Sequence, residues 1–147
     1  MTCDPGFGVL RHADAGYDRG QRTGEGGWQP SDALPERWTT TIDGLPLELR
    51  ATPAGQVGLF PEHAPVARWA AESAAVVAAA RGRPATVLNL FAYTGLATLA
   101  LARAGAHVVH VDASRPAVAW ARRNADLADL ADTAAIADFV LANAAVR

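Results

Sequence analysis

Lysine is absent from this 147-residue chain: all 13 basic residues are arginine. They are scattered, the net charge is −2, and no basic block of the kind that tracks a phosphate backbone is present. A single cysteine, Cys3, excludes an internal disulfide and fits a reducing compartment. No apolar run approaches the roughly 18 residues of a membrane span, and the N-terminus lacks the charged-then-apolar pattern of a signal peptide. The expectation is a soluble, cytoplasmic protein that does not enter a membrane; the oligomeric state is not legible. His107 and His110 share strand spacing but have no Glu or His partner at i, i+4, so no metal site is expected. Half the chain is apolar, yet 34 residues are alanine, which bury little surface, so the core is thinner than the composition suggests. The length suits one ordinary domain.

Residues 1–35 are rich in Gly, Asp, Arg and Pro and read as an irregular N-terminal arm; residues 36–147 read as the folded portion. A hairpin is predicted where Trp38–Ile42 and Leu45–Arg50 flank Asp43-Gly44, a strong two-residue turn signal. Pro46 cannot donate to a ladder, which puts its strand at an edge. After a loop at Gly55–His63, a helix is predicted over Val66–Ala80, with Val66, Trp69, Ala70, Val76 and Val77 as core positions and Gly82 and Pro84 as its stop. Strand Thr86–Leu90, helix Leu96–Ala104, strand His107–Val111 and helix Pro116–Leu127 follow. Gly105 ends the first of these helices, and Ser114 is placed to cap the second. Two β-then-α units in succession mean parallel strands with right-handed crossovers. In the tail, Ile136, Phe139, Val140 and Ala144 have helical spacing and suggest an amphipathic helix.

Two stretches carry the functional information. In Val87-Leu88-Asn89-Leu90-Phe91-Ala92-Tyr93-Thr94-Gly95, an apolar run breaks into a tight turn before a helix. In Val108-Val109-His110-Val111-Asp112-Ala113-Ser114, an apolar run ends on a carboxylate. A turn of the first kind leaves backbone N–H groups and a helix N-terminus facing a ligand. An acid at the tip of the second strand can accept ribose hydroxyls. Nicotinamide and flavin sites need G-x-G-x-x-G, because the chain passes close to a pyrophosphate. Here only Gly95 is glycine, and Phe91, Ala92 and Tyr93 would obstruct a diphosphate. A ribose-bearing cofactor without phosphates, such as S-adenosylmethionine, tolerates them. Each residue has a plainer reading too: Asp112 as an acid leading into a helix, Ser114 as an N-cap, Phe91, Tyr93 and Trp120 as core, Asn124 as a solvated helix position.

These segments, with Trp120-Ala121-Arg122-Arg123-Asn124 and the upstream Gly58-Leu59-Phe60-Pro61-Glu62-His63, resemble the class I S-adenosylmethionine-dependent methyltransferases. Within them they are most similar to the bacterial large-subunit ribosomal RNA methyltransferase group, over about residues 36–130. The resemblance implies an α/β fold: a partial Rossmann-like parallel βαβα core, preceded by a β-hairpin and the irregular arm. It also implies S-adenosylmethionine as cofactor. Phe91, Tyr93, Thr94 and Gly95 would line its methionine end, and Asp112 would hold the ribose, with Ala113 and Ser114 beside the adenine. Asn124 would support that corner, and Glu62 and His63 would close over the cofactor. RNA as methyl acceptor follows from the resemblance alone.

One departure matters. Members of the group continue with a third strand, then a fourth ending in an Asn/Asp-Pro-Pro-type motif at the reacting methyl. No proline follows Pro116 here, and the chain stops at Arg147. The sequence therefore reads as a truncated methyltransferase carrying no catalytic residue of its own. The competing readings are an inactive remnant or interaction fragment and, disfavoured by the missing glycines, part of a nicotinamide-dependent oxidoreductase.

Overall fold

The computed structural model describes residues 15–18, 20, 26–29, 35–131 and 136–141, the last stretch by its backbone alone. Cys3 and most of the arm lie outside the described residues. In chain order the elements are β1 (Gly16–Asp18), β2 (Gly27–Gln29), β3 (Trp38–Ile42), β4 (Leu45–Leu49), a 3-10 turn (Pro61–His63), α1 (Ala64–Arg81), β5 (Thr86–Leu90), α2 (Leu96–Arg103), β6 (His107–Asp112), α3 (Arg115–Leu127) and β7 (Ile136–Leu141). The chain divides into two compact units, Met1–Trp38 with Arg50–Val57, and Thr39–Leu49 with Gly58–Arg147.

In the first unit, β1 and β2 pair antiparallel within the stretch read from sequence as irregular. Tyr17 and Trp28 face each other across the pair, edge to face at 5.4 Å. Each has a polar tip that needs a partner when half-buried. The Tyr17 hydroxyl donates to the Pro53 carbonyl (2.6 Å), and the Trp28 indole N–H donates to the Thr52 carbonyl (2.9 Å).

The second unit holds a three-stranded parallel sheet in the order β5-β6-β7, with Leu88 opposite Val109, Asn89 opposite His110, and a bulge between Val108 and Val109 on the β7 side. Parallel neighbours require helical crossovers, and α2 and α3 provide them. The turn at Asp43 (φ 49°) and Gly44 (φ 78°) has positive φ at both central residues, the type I′ geometry that matches strand twist. The β3–β4 hairpin it closes packs on α2 and α3. Side chains of α3 grip the Glu48 backbone: Asn124 Oδ1 accepts from its N–H at 2.8 Å, and the Trp120 indole N–H donates to its carbonyl at 3.0 Å. Helix α2 lies between hairpin and sheet, so Leu96 and the run Thr98–Ala102 are all buried. Leu45, Leu47, Leu99 and Val108 are the largest apolar side chains sealed inside, each contributing about 1.5–3 kcal/mol.

Two expectations are corrected. Residues 136–141 form a strand parallel to β6, not a helix, so the third strand is present. Ile136, Phe139 and Val140 satisfy helical spacing, but so short an apolar run does not separate helix from strand. The core face of α1 is also inverted. Ala67 and Ala74 are buried, whereas Val66, Trp69, Val76 and Val77 are exposed, Trp69 by 67%. Small side chains let α1 approach α2 closely, and the bulky residues turn outward. Among the described residues no helix is long and apolar enough to cross a membrane.

Candidate functional site

The parallel strands end at one edge, and the candidate site lies there. After Leu90 the chain passes through Phe91 (φ 54°), Ala92, Tyr93 (φ 51°), Thr94 and Gly95 (φ 98°) before α2 begins. Two non-glycine residues in the left-handed region cost roughly 1–2 kcal/mol each and persist only where neighbours fix them. Several bonds do so. Ala92 N–H donates to the Val111 carbonyl (3.1 Å), carrying the β5–β6 pairing one step past the strand. Gly95 N–H donates back to the Ala92 carbonyl (3.1 Å). Tyr93 N–H donates to Asp112 Oδ2 (2.8 Å), and the Thr94 hydroxyl donates to the Gly58 carbonyl (2.6 Å). The fully buried Asn124 donates through Nδ2 to the Thr94 carbonyl (2.8 Å).

Asn124 thus spans two backbone segments with both ends of its amide. Asn124→Leu keeps the volume but strands the Glu48 N–H and the Thr94 carbonyl, each a loss of about 1–3 kcal/mol. The expected result is a destabilisation of about 3 kcal/mol in chemical unfolding. A change below about 1 kcal/mol would show that the clamp is dispensable.

Asp112 is half-buried at the tip of β6. One carboxylate oxygen accepts from Tyr93 N–H and the other from Ser114 N–H (2.8 Å). A carboxylate offers about four acceptor positions, so both oxygens keep capacity for a ligand while the group is locked in orientation. Ser114 caps α3, accepting from Ala117 N–H at 3.3 Å. Ala113 and Ser114 are exposed beyond Asp112.

Beneath the turn, Asn89 Nδ2 donates to Thr98 Oγ1 (2.9 Å), which lies 2.9 Å from His110 Nδ1. His110 has no solvent exposure. Its burial lowers the imidazole pKa to about 4, against the upward pull of Asp112 and the Tyr93 backbone, with Arg122 adding to the depression. The ring is therefore neutral at pH 7. An unfolded-state histidine titrates near 6.5, so between pH 6.5 and 4 the unfolded chain binds the extra proton and stability falls as pH falls. The loss is about 3 kcal/mol at most. Melting temperature should drop across that window more steeply in the wild type than in His110→Gln; parallel profiles would contradict the burial of a neutral ring.

A cavity of about 380 Å³ opens beside the turn, within the range of ligand pockets. It is lined by Phe91, Tyr93, Thr94 and Gly95 from the turn, by Asn89 and Leu90 from β5, and by Phe60, His63 and Val66 from the opposite wall. The Phe60 ring lies 5.3 Å from Tyr93 and 5.5 Å from His63. Burial raises the Tyr93 phenol pKa, with the Gly58 backbone lowering it and Asp112 raising it, so the hydroxyl is protonated at neutral pH. Of the residues singled out from sequence, the turn residues and His63 share this cavity. Asp112 adjoins it through the Tyr93 N–H, Glu62 is exposed beside His63, and Asn124 is buried behind the turn. Phe60 was not singled out. Its signal is an aromatic between a glycine and a proline, and Gly58 is required there: a Cβ would lie 2.2 Å from Trp120 Cζ2. Among the described residues no three His, Cys, Asp or Glu side chains gather as a metal site.

No family model matches the chain. The ribosomal RNA large subunit methyltransferase K/L of Magnetococcus marinus is 35% identical over 111 residues, 73% of this chain and 14% of that protein. The protein of the same name from Shewanella sp. strain ANA-3 is 34% identical over 125 residues, 84% of this chain and 16% of its own length. The chain thus spans about one-sixth or less of these curated relatives. Among solved structures, the SAM-dependent methyltransferase from Agrobacterium tumefaciens superposes with a TM-score of 0.74 at 40% identity, over 86% of this chain and 38% of that one. A Streptococcus mutans structure (TM-score 0.54, 24% identity, 66% of this chain and 24% of that one) shares the fold alone. The parallel core, the carboxylate at the tip of its second strand and these likenesses together give the chain a class I S-adenosylmethionine-dependent methyltransferase fold, distantly related to the large-subunit ribosomal RNA methyltransferases K/L.

Proposed function

We propose that the chain binds S-adenosylmethionine at the C-terminal ends of β5 and β6, as the cofactor-binding part of a methyltransferase. One observation carries the reading: Asp112 is held by the backbone N–H of Tyr93, in the very turn that lines the cavity, so the carboxylate and the turn form one preorganised edge. Asp112 accepts the ribose hydroxyls, the turn receives the amino-acid end, and Phe60 and Tyr93 supply an aromatic wall. Bound there, the cofactor supplies an electrophilic methyl group on a sulfonium, and the protein contributes position and electrostatics. Phe91 and Tyr93 occupy places where a diphosphate would need glycine, which argues against a dinucleotide. RNA is the proposed methyl acceptor, on the strength of the names the Magnetococcus and Shewanella relatives carry.

Calorimetric titration tests this. S-adenosylmethionine should bind one-to-one, and NAD should bind at least tenfold more weakly. Tighter binding of NAD, or no heat with either, would contradict the proposal. Binding without methyl transfer to ribosomal RNA would favour a binding piece over an enzyme.

A further inference from the structure

Three polar side chains from three elements form one hydrogen-bonded chain beneath the cavity: Asn89 on β5, Thr98 on α2 and His110 on β6. Asn89 and His110 stand opposite each other in the parallel register, and Thr98 reaches both from the helix above. Thr98 and His110 are fully buried, whereas Asn89 lines the cavity. Buried polar groups need partners, so accounting for donors and acceptors fixes where the protons of this chain sit.

Asn89 donates through Nδ2 to Thr98 Oγ1 at 2.9 Å, and that oxygen lies 2.9 Å from His110 Nδ1. The Thr98 side chain makes no other hydrogen bond among the described residues. Its oxygen already accepts from Asn89, so its own proton is satisfied only if His110 Nδ1 is a bare acceptor. The neutral ring then carries its proton on Nε2. The Tyr93 backbone favours the protonated ring, as a carbonyl beside a ring N–H does. The reverse arrangement is penalised. An Nδ1–H ring would donate to Thr98, the hydroxyl would turn to Asn89, and the amide would have to flip. The bare Nε2 would then face the Tyr93 carbonyl, acceptor against acceptor. With Nδ2 engaged by Thr98, Asn89 Oδ1 is the end of the amide left for the cavity.

We infer that Thr98 and His110 are positioning residues for the amino-acid end of the ligand: they hold the Asn89 amide with its oxygen toward the cavity, where it accepts from the α-ammonium group. The inference rests on the cofactor reading and adds to it how the site selects that end. An amide can present either a donor or an acceptor, so asparagine here needs an outside device to fix its polarity. A carboxylate at position 89 would accept at both ends and would need none. Neither Thr98 nor His110 lines the cavity, so both act through Asn89.

Two probes isolate the effect: S-adenosylhomocysteine, and 5′-methylthioadenosine, which lacks the amino-acid end. In calorimetric titration the wild-type chain should prefer the first. Thr98→Val should cut that preference about tenfold, the size of one hydrogen bond to a charged group. Affinity for 5′-methylthioadenosine should stay within about twofold. Thr98→Ser, which keeps the hydroxyl, should restore the preference. In an Asn89→Asp background, Thr98→Val should change the preference by less than about twofold, because either carboxylate oxygen accepts. An equal loss in both backgrounds, or equal losses for both probes, would mark the hydroxyl as merely structural and overturn the inference. If Thr98→Val does not fold, the wild type still decides. Long-range proton–nitrogen spectra of the ¹⁵N-labelled chain without ligand should show His110 as the Nε2–H tautomer, and an Nδ1–H ring would overturn the relay. Failure of the wild type to bind either probe would overturn the cofactor reading and this inference with it; binding whose preference ignores Thr98→Val would overturn this inference alone.

Discussion

Gly95→Val is expected to lower stability by about 3 kcal/mol and to abolish measurable binding of S-adenosylmethionine. Two independent effects add at this position. The backbone has φ 98°, a conformation a β-branched residue resists. A Cβ would also lie 3.2 Å from the Ala121 Cβ, on a helix anchored to the hairpin through Trp120 and Asn124, with little room to yield. The Gly95 N–H closes the turn on Ala92, and its carbonyl starts α2 by accepting from Leu99, so displacement here spreads in both directions. Gly95→Ala separates the effects: it keeps the backbone strain and part of the crowding, and should fold with intermediate stability. Wild-type melting and affinity in the valine variant would mean that the turn does not approach the ligand.

Asp112→Ala is expected to weaken S-adenosylmethionine binding by at least about 100-fold, with a smaller loss of stability. Hydrogen bonds to a charged acceptor are worth about 1.5–3 kcal/mol each, and the proposed ribose contact uses two. The same change removes the acceptors of Tyr93 N–H and Ser114 N–H; the Ser114 bond is exposed, where water replaces the lost partner, and the Tyr93 bond is part-buried. Asp112→Asn retains one acceptor oxygen and the volume, and should fall between the two. Affinity unchanged in the alanine variant would remove the ribose assignment while leaving the fold intact.

What could be read from the sequence had a local physical cause. Asp43-Gly44 announced its turn because only such a pair accepts positive φ twice in succession. Ser114 announced the start of α3 because its hydroxyl satisfies an orphan N–H. The parallel core followed from two successive strand-helix units. The failures arose where distant partners decide. The apolar spacing of α1 was visible, but which face would meet α2 depended on how closely two alanine-rich helices pack. The pattern of residues 136–141 fitted a helix, and the strand assignment needed β6 beside it. The position of Asp112 at the tip of β6 and of the turn after β5 was legible from the strand-end pattern. Phe60 was not, because its contact with Tyr93 is made across a loop. Asn124 was read as a support for that corner; its two-ended clamp on Glu48 and Thr94 required the hairpin's position.

A cofactor seated on the edge formed by the β5–α2 turn and the tip of β6 should perturb the backbone amides of that edge. Backbone amide chemical-shift mapping of the ¹⁵N-labelled chain during titration with S-adenosylmethionine tests it most directly. The largest saturable shifts are expected at Tyr93, Thr94, Gly95, Ala113 and Ser114, with smaller ones at His63. Saturable shifts confined to other surfaces, or none at concentrations where NAD produces them, would contradict it.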